Sequence, residues 1–223
     1  MHPDLGRKAG ALRDREPLRT GRCLMAFIKT VPAAQAEGKL LEIYQEDIKT
    51  KGYVANHTSA FSLRPEVYRA WLNLVGSIRS NMRLRRFELV TLAAAQALKC
   101  TYCMLAHGAV LRKNFFSPGE LAAIARDFHS AGLTAEEVAL MEFAQKVTRE
   151  PHQITPRDFA LLREKGLSDE EILDVVLAVT ARNFMSKTLD ALGAEPDDVL
   201  MELEPELREA LVVGRPFPTL ARS

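Results

Sequence analysis

The sequence predicts an all-α protein. Segments whose apolar residues recur with the helical period of about 3.6 residues follow one another from Pro32 to Gly193. Several of them start at a serine or threonine with a glutamate three positions later, and several stop at a glycine, which are the usual signals for helix ends. No run of residues combines apolar-polar alternation with a hairpin turn, so the pattern predicts no β-sheet.

Two amphipathic helices open the predicted fold. The first covers residues 36–52 and ends at Gly52, and its apolar stripe consists of Leu40, Leu41, Tyr44 and Ile48. The second covers residues 64–81 and starts beside a proline, and its apolar stripe consists of Val67, Trp71, Leu74 and Ile78. We expect each stripe to face the core.

The next segment, LRRFELVTLAAAQALKC over residues 84–100, is almost uniformly apolar after Glu88. A helix that is apolar on all sides belongs in the core of a protein. Glu88 then needs a partner, because an isolated buried carboxylate is unfavourable. Later helices are predicted to start at Ser117 and Thr134, and two more to end at Gly166 and Gly193.

The length of 223 residues suits one domain with tails. Residues 1–24 are rich in arginine and poor in large apolar groups, which predicts a disordered tail, and Met25 is an alternative translation start. Residues 25–223 form the predicted domain, with a motif core at 85–113. The proline-interrupted stretch at about 195–223 is expected to be an arm that packs on another surface, such as a neighbouring subunit.

Composition excludes several classes of partner. The 30 lysine and arginine residues nearly balance the 29 aspartate and glutamate residues, so we expect neither nucleic acid nor a membrane as a partner. No apolar run approaches the roughly 20 residues that span a bilayer, and no secretory signal is evident. We therefore expect a cytoplasmic protein, in which a close cysteine pair is usually catalytic or metal-binding.

Such a pair stands in KCTYCMLAHGAVLRK, residues 99–113. On one helix Cys100, Cys103 and His107 would share a face, because their directions differ by no more than about 60°. With Thr101 as the helix N-cap, Cys103 would lie in the first turn, where the helix dipole favours a thiolate. The histidine one turn later could accept its proton.

The residues alone leave three interpretations open. Cysteines at this spacing can form a disulfide, so one thiolate could attack a peroxide and the other resolve the resulting sulfenic acid. Two thiolates, an imidazole and Glu88 could instead bind zinc. The third interpretation is a buried structural pair.

The pattern of Glu88, eleven residues, and then C-x-x-C-x-x-x-H resembles the signature of the alkylhydroperoxidase D-like, or carboxymuconolactone decarboxylase, superfamily, and within it the peroxidase-related branch. The similarity runs from about residue 25 to residue 193. The resemblance implies a helical bundle of about seven to nine helices, without cofactor or metal, assembled as a trimer or hexamer.

The resemblance also implies roles for the motif residues. Cys103 would be the peroxidatic thiol and Cys100 the resolving thiol, while Glu88 would act as a distal base through His107 and water. The implied activity is reduction of hydrogen peroxide or small organic hydroperoxides, with a lipoyl- or thioredoxin-type dithiol protein as reductant. Alternatives are a decarboxylase-like lyase and a non-catalytic redox-responsive adaptor.

Two further residues are candidates for the surroundings of the thiols. Tyr102 occupies a position where alkylhydroperoxidase D itself has a histidine, and a phenol is a poor proton carrier at neutral pH. His57 lies in a predicted loop that the resemblance places near the pocket mouth. The resemblance also requires the chain to turn near residues 99–101, because Glu88 would lie about 18 Å from Cys100 along one straight helix.

Overall fold

The computed structural model describes residues 26–216 and confirms the all-α prediction. This part of the chain contains no strand and ten α-helices, nine of them with seven residues or more, against the seven to nine expected. The helices are α1 (Gly38–Lys51), α2 (Asn56–Ala60), α3 (Pro65–Ser80), α4 (Leu84–Ala97), α5 (Thr101–Asn114), α6 (Pro118–Asp127), α7 (Ala135–Arg149), α8 (Pro156–Glu164), α9 (Asp169–Leu192) and α10 (Pro205–Leu211).

Most helix ends follow directly from the sequence. Ser117, Thr134 and Ser168 each cap a helix: the side-chain oxygen accepts a hydrogen bond from the amide of a glutamate three residues on, and the cap residue's own amide donates to the carboxylate of that glutamate. Gly52 and Gly193 end α1 and α9 in the left-handed conformation, with φ of 87° and 64°.

Helix α4 lies at the centre of the bundle, as its apolar sequence predicts. It packs against α5, α7 and α9, and its residues 87–95 are all buried. Three consecutive alanines at 93–95 are fully enclosed, and their small side chains let neighbouring helices approach closely. Glu88 is buried in this helix, so a charge-bearing group stands inside the core.

The turn between α4 and α5 brings the cysteine motif back alongside α4. Lys99 is left-handed, with φ of 58°, although it is not a glycine. The Lys99 amide donates to the Gln96 carbonyl and the Cys100 amide donates to the Ala95 carbonyl. These two bonds form a Schellman motif, which ends α4 and reverses the chain at the place where the family resemblance requires a turn.

One predicted helix start is off by one residue. Cys100, not Thr101, is the N-cap of α5, because the left-handed Lys99 leaves Cys100 extended and the helix begins at Thr101. The Thr101 hydroxyl instead accepts a hydrogen bond from the amide of Gly214. Cys103 nevertheless lies in the first turn of α5, as expected.

The prediction of which residues of α1 and α3 face the core is partly wrong. Leu41 and Ile48 on α1, and Val67 and Leu74 on α3, are exposed. The buried face of α1 instead contains Leu40, Ile43, Tyr44 and Asp47, and that of α3 contains Tyr68 and Ile78. Asp47 on α1 and Tyr68 on α3 face the core, whereas the sequence pattern favoured the adjacent aliphatic residues, Ile48 and Val67.

The described part of the C-terminal arm packs on helices of its own chain. Helix α10 lies against α5 and α6 and buries Leu207 and Leu211 completely. Leu211 covers Gly108 of α5, where an added Cβ would lie 2.6 Å from it. Further on, Gly214 approaches the carbonyl of Lys99 so closely that a Cβ would meet it at 1.8 Å.

Three sequence-based expectations fall outside the described residues: the disordered tail at 1–24, the alternative translation start at Met25, and the last residues of the arm, 217–223. Within residues 26–216, no helix has the length and apolar character needed to cross a membrane.

Candidate active site

The four residues of the predicted motif come together between α4, α5 and α9. Glu88 projects from α4, Cys100 caps α5, and Cys103 and His107 lie on α5. All four are buried, with Cys100 0% and Cys103 1% exposed. The turn at Lys99 therefore brings the cysteines of α5 beside Glu88 of α4, which a single straight helix could not do.

Glu88 and His107 form a buried pair. The Nδ1 atom of His107 lies 2.6 Å from Oε2 of Glu88 and 3.2 Å from the Thr91 hydroxyl. The Thr91 hydroxyl donates to the Phe87 carbonyl and is left with acceptor capacity only. A carboxylate and a hydroxyl oxygen together select the tautomer with hydrogen on Nδ1, so that Nε2 of the neutral ring can accept a proton.

Cys103 is the acidic member of the thiol pair. A hydrogen bond from Cys100 is the largest influence that holds its pKa well below the ordinary value, and Arg182, His107 and Ser186 act in the same direction against the effect of burial. The same hydrogen bond, together with burial, raises the pKa of Cys100 far above the ordinary value. The surroundings therefore favour the thiolate form at Cys103 and the thiol form at Cys100.

His107 influences Cys103 without touching it directly. Among residues 26–216 no hydrogen bond joins the two side chains, although a positive charge on the His107 ring, when it is protonated, lowers the pKa of Cys103. A proton passing from the thiol to Nε2 would therefore need an intervening water, as in the relay that the resemblance implies.

Tyr102 and His57 belong to a second polar cluster beside the thiols. The Tyr102 hydroxyl lies 2.6 Å from a carboxylate oxygen of Asp197, 2.8 Å from Nδ1 of His57 and 3.1 Å from the His57 amide nitrogen. Burial and the nearby Asp197 carboxylate raise the pKa of Tyr102 well above its ordinary value. The phenol therefore stays protonated, and it joins α2 and the segment after α9 to the start of α5.

The sequence placed His57 in a loop, but it lies in the five-residue helix α2. Burial, and secondarily the charge of Lys51, lowers the pKa of His57 to about 3. His57 is therefore a neutral partner of Tyr102 at physiological pH.

Sequence reasoning missed Arg182, Ser186 and Asp197. Arg182 and Ser186 lie one turn apart on α9, about eighty residues beyond the cysteine motif, and only the tertiary fold brings them to Cys103. One signal was present: Arg182 interrupts an apolar stretch of α9, as Glu88 does on α4. A charge on the buried face of a helix predicts a functional or paired site.

The zinc interpretation lacks a suitable ligand set. In the part of the chain that the structure describes, no three His, Cys, Asp or Glu side chains are arranged to hold a metal ion. The Nδ1 atom of His107 is hydrogen-bonded to the carboxylate of Glu88.

Comparison with known proteins places this site in a family. Residues 65–146, which include all four motif residues, match the model of the Carboxymuconolactone decarboxylase family. This segment belongs to the carboxymuconolactone decarboxylase family. The family resemblance of the motif is thereby confirmed. No curated protein matches the chain in sequence.

Several solved structures share the fold of this chain. An uncharacterized peroxidase-related protein of Ralstonia eutropha JMP134, with an alkylhydroperoxidase AhpD core, has a TM-score of 0.74 at 23% identity over 80% of this chain and 96% of its own. An uncharacterized peroxidase-related protein of Silicibacter sp. TM1040 has a TM-score of 0.68 at 20% identity, over 85% of this chain and 98% of its own.

A third structure comes from a protein with a different stated activity. The debrominase Bmp8, as a cysteine-to-alanine variant in complex with 2,3,4-tribromopyrrole, has a TM-score of 0.63 at 14% identity, over 85% of this chain and 96% of its own. At these identities the three structures show the fold alone. An enzyme of this superfamily is the functional class that the family match and the fold support.

Proposed function

We propose that this protein is a thiol peroxidase that reduces hydrogen peroxide or small organic hydroperoxides. The observation that carries the proposal is the buried cluster in which Cys100 and Cys103 lie at the start of α5 with the hydrogen-bonded Glu88–His107 pair, and in which an Arg182 nitrogen lies 3.5 Å from the Sγ atom of Cys103. The lowered pKa of Cys103 and the raised pKa of Cys100 agree with this arrangement. A low-pKa thiolate beside a second thiol is the arrangement expected of peroxidatic and resolving cysteines.

The chemistry follows from the positions of the groups. The Cys103 thiolate attacks the terminal peroxide oxygen, the O–O bond breaks, and Cys103 becomes a sulfenic acid while an alkoxide or hydroxide leaves. His107, oriented by Glu88, holds the thiol proton by way of water and returns it to the leaving oxygen. The Cys100 thiol then displaces water from the sulfenic acid to form the disulfide.

A dithiol must reopen that disulfide to complete the cycle. Thiol-disulfide exchange with a lipoyl- or thioredoxin-type protein transfers two electrons and two protons, and it restores both thiols. No cofactor is needed in this cycle.

The burial of both sulfurs favours small substrates. With Cys103 1% exposed, a bulky hydroperoxide has less access to the sulfur than hydrogen peroxide has. We therefore expect hydrogen peroxide to be reduced faster than an aromatic hydroperoxide.

The decarboxylase-like alternative needs a base but no thiol. His107 with Glu88 supplies such a base, and the family whose model matches residues 65–146 is named for that reaction. Cys103→Ser separates the two: it abolishes a thiol peroxidase and leaves a histidine-dependent lyase active.

The proposal is tested by peroxide consumption with lipoyl- and thioredoxin-type donors. We expect catalytic turnover by the wild type, none by Cys103→Ser, and about one equivalent consumed by Cys100→Ser, which would stop as the sulfenic acid. Slow stoichiometric consumption by the wild type with every dithiol donor would instead favour a redox-responsive adaptor.

We also propose a homo-oligomer. Apolar side chains are exposed on the outer faces of α3 and α9, two helices that pack against each other. They are Val67, Leu74, Leu173, Leu177 and Phe184. An apolar surface of this kind is typical of a protein–protein contact.

A further inference from the structure

A cation lies beside the reactive sulfur. Arg182 of α9 is only 7% exposed, and one of its terminal nitrogens, Nη1, lies 3.5 Å from the Sγ atom of Cys103. Its Nε atom is buried and has no hydrogen-bond partner within residues 26–216. The ion pairs found in this range all involve other side chains.

A buried guanidinium without a carboxylate is unfavourable unless another anion compensates its charge. Arginine keeps its proton at every physiological pH, so the compensation cannot come from neutralisation of Arg182 itself. The group in hydrogen-bond contact with it is the Cys103 thiol, which becomes an anion when it loses its proton.

We propose that Arg182 is a catalytic residue whose guanidinium is the counter-ion of the Cys103 thiolate and of the oxygen anion that leaves the peroxide. The second role rests on the proposed peroxidase function, whereas the first does not. The unpartnered Nε–H supplies a hydrogen-bond donor that neither the protein core nor the thiolate uses in the resting state.

Two neighbours support this role. The guanidinium carbon lies 5.8 Å from the centre of the Trp71 ring, and the Trp71 indole donates to the Ala181 carbonyl, which fixes the ring against α9. One turn after Arg182, the Ser186 hydroxyl is also buried without a hydrogen-bond partner within the described residues. Arg182 and Ser186 thus present two donors from one face of α9.

Other ionisable groups also act on Cys103, so a test must separate their effects. Cys100 and His107 face it from α5, Glu88 acts through His107 from α4, and Arg182 is the cation on α9. Asp190 of α9 influences Cys100, and His57 of α2 lies near Arg182. Replacement of Arg182 alone, with these groups retained, isolates its contribution.

The experiment is a pH titration of the ultraviolet absorbance of the thiolate in the full chain, with the matching Cys103→Ser protein subtracted. We expect the wild-type midpoint to lie below that of an ordinary cysteine. Arg182→Met, which has a similar volume without the charge, should raise the midpoint by about one to three pH units. Arg182→Lys should recover part of the shift, because the charge remains but the planar set of donors is lost.

Lys187→Gln is the matched control, because it removes a positive charge from an exposed position of the same helix. It should leave the midpoint unchanged. If circular dichroism shows that Arg182→Met does not fold, the titration midpoint of Arg182→Lys, compared with that of the wild type, tests the inference instead. An unchanged midpoint in the folded Arg182 variants would overturn the inference.

The same proteins separate this inference from the proposed function. A midpoint that depends on Arg182 in a protein without peroxide turnover would support the thiolate pair and refute the peroxidase. Turnover with a midpoint independent of Arg182 would refute the inference alone.

Discussion

At the scale of single residues, the site depends on a carboxylate that the core would not otherwise accommodate. Glu88 is 3% exposed in the buried central helix α4, and its partner is His107, at 2.6 Å. A carboxylate hydrogen-bonded to the distal side of an imidazole fixes the tautomer of the ring and stabilises its protonated form. In the proposed relay, Glu88 therefore acts on the sulfur through His107.

Replacing Glu88 with glutamine retains the shape and removes the charge. We expect Glu88→Gln to lower peroxidase activity about a hundredfold to ten-thousandfold at neutral pH, the usual contribution of general acid–base assistance. Activity should recover partly at higher pH, where hydroxide forms the thiolate. Peroxide consumption from acidic to alkaline pH measures this, and exposed Glu42→Gln is the control. Near wild-type turnover at pH 7 would refute the relay.

His57 should make the folded protein sensitive to acid. The unfolded chain takes up a proton at His57 near its ordinary pKa of 6.5, whereas the folded protein does so only at about 3. The free energy of unfolding should therefore fall by about 1.4 kcal/mol per pH unit between these values, as the pH decreases, through this residue alone.

His57→Gln should remove that part of the slope, while exposed His152→Gln should not affect it. Urea denaturation at several pH values between 4 and 7 measures both variants. Parallel pH dependences for wild type and His57→Gln would show that His57 titrates normally in the fold.

At the scale of elements, the turn between α4 and α5 places the cysteines against Glu88. The left-handed conformation of Lys99 costs a non-glycine residue about 1–2 kcal/mol, and the two Schellman hydrogen bonds offset that cost. The sequence contains neither glycine nor proline here, so only the family resemblance predicted the turn.

Lys99→Gly should therefore stabilise the protein by about 0.5–1 kcal/mol, because relief of strain exceeds the added flexibility of the unfolded chain. Lys165→Gly is the control, since Lys165 also follows a helix but has a φ of −84°. Thermal or urea denaturation should show the control to be neutral or destabilised. Equal effects of the two substitutions would contradict the strain at Lys99.

The elements differ in how far the sequence predicted them. The sequence predicted the position of a helix end wherever nearby residues determine it. Examples are the capping boxes at Ser117 and Thr134 and the end of α9 at Gly193. The inward faces of α1 and α3 were not predicted, because neighbouring stripes had similar apolar content and contacts with other helices selected between them. Arg182 could not be assigned to the site, because it meets Cys103 only after α9 packs beside α5.

At the scale of the whole molecule, the outer faces of α3 and α9 should join copies of the chain. Leu74 and Leu173 are 52% and 55% exposed on these faces. We expect Leu74→Glu combined with Leu173→Glu to convert the proposed oligomer to monomers, because a charge buried at an apolar contact is unfavourable. Size-exclusion chromatography with light scattering measures the mass.

Leu161→Glu, at an exposed apolar position on α8, is the matched control and should leave the mass unchanged. A monomeric wild type would contradict the proposed assembly. Loss of assembly in the control instead would move the contact to α8.

The central claim is that the chain is a thiol peroxidase working through Cys100 and Cys103, and the most direct test is the covalent state of these residues after exposure to peroxide. Protein treated with hydrogen peroxide is digested without reduction and the peptides are identified by mass spectrometry. We predict a disulfide between Cys100 and Cys103, formed in the wild type and in Lys187→Gln and absent from Cys103→Ser. Recovery of Cys100 and Cys103 as free thiols after peroxide treatment would contradict the claim.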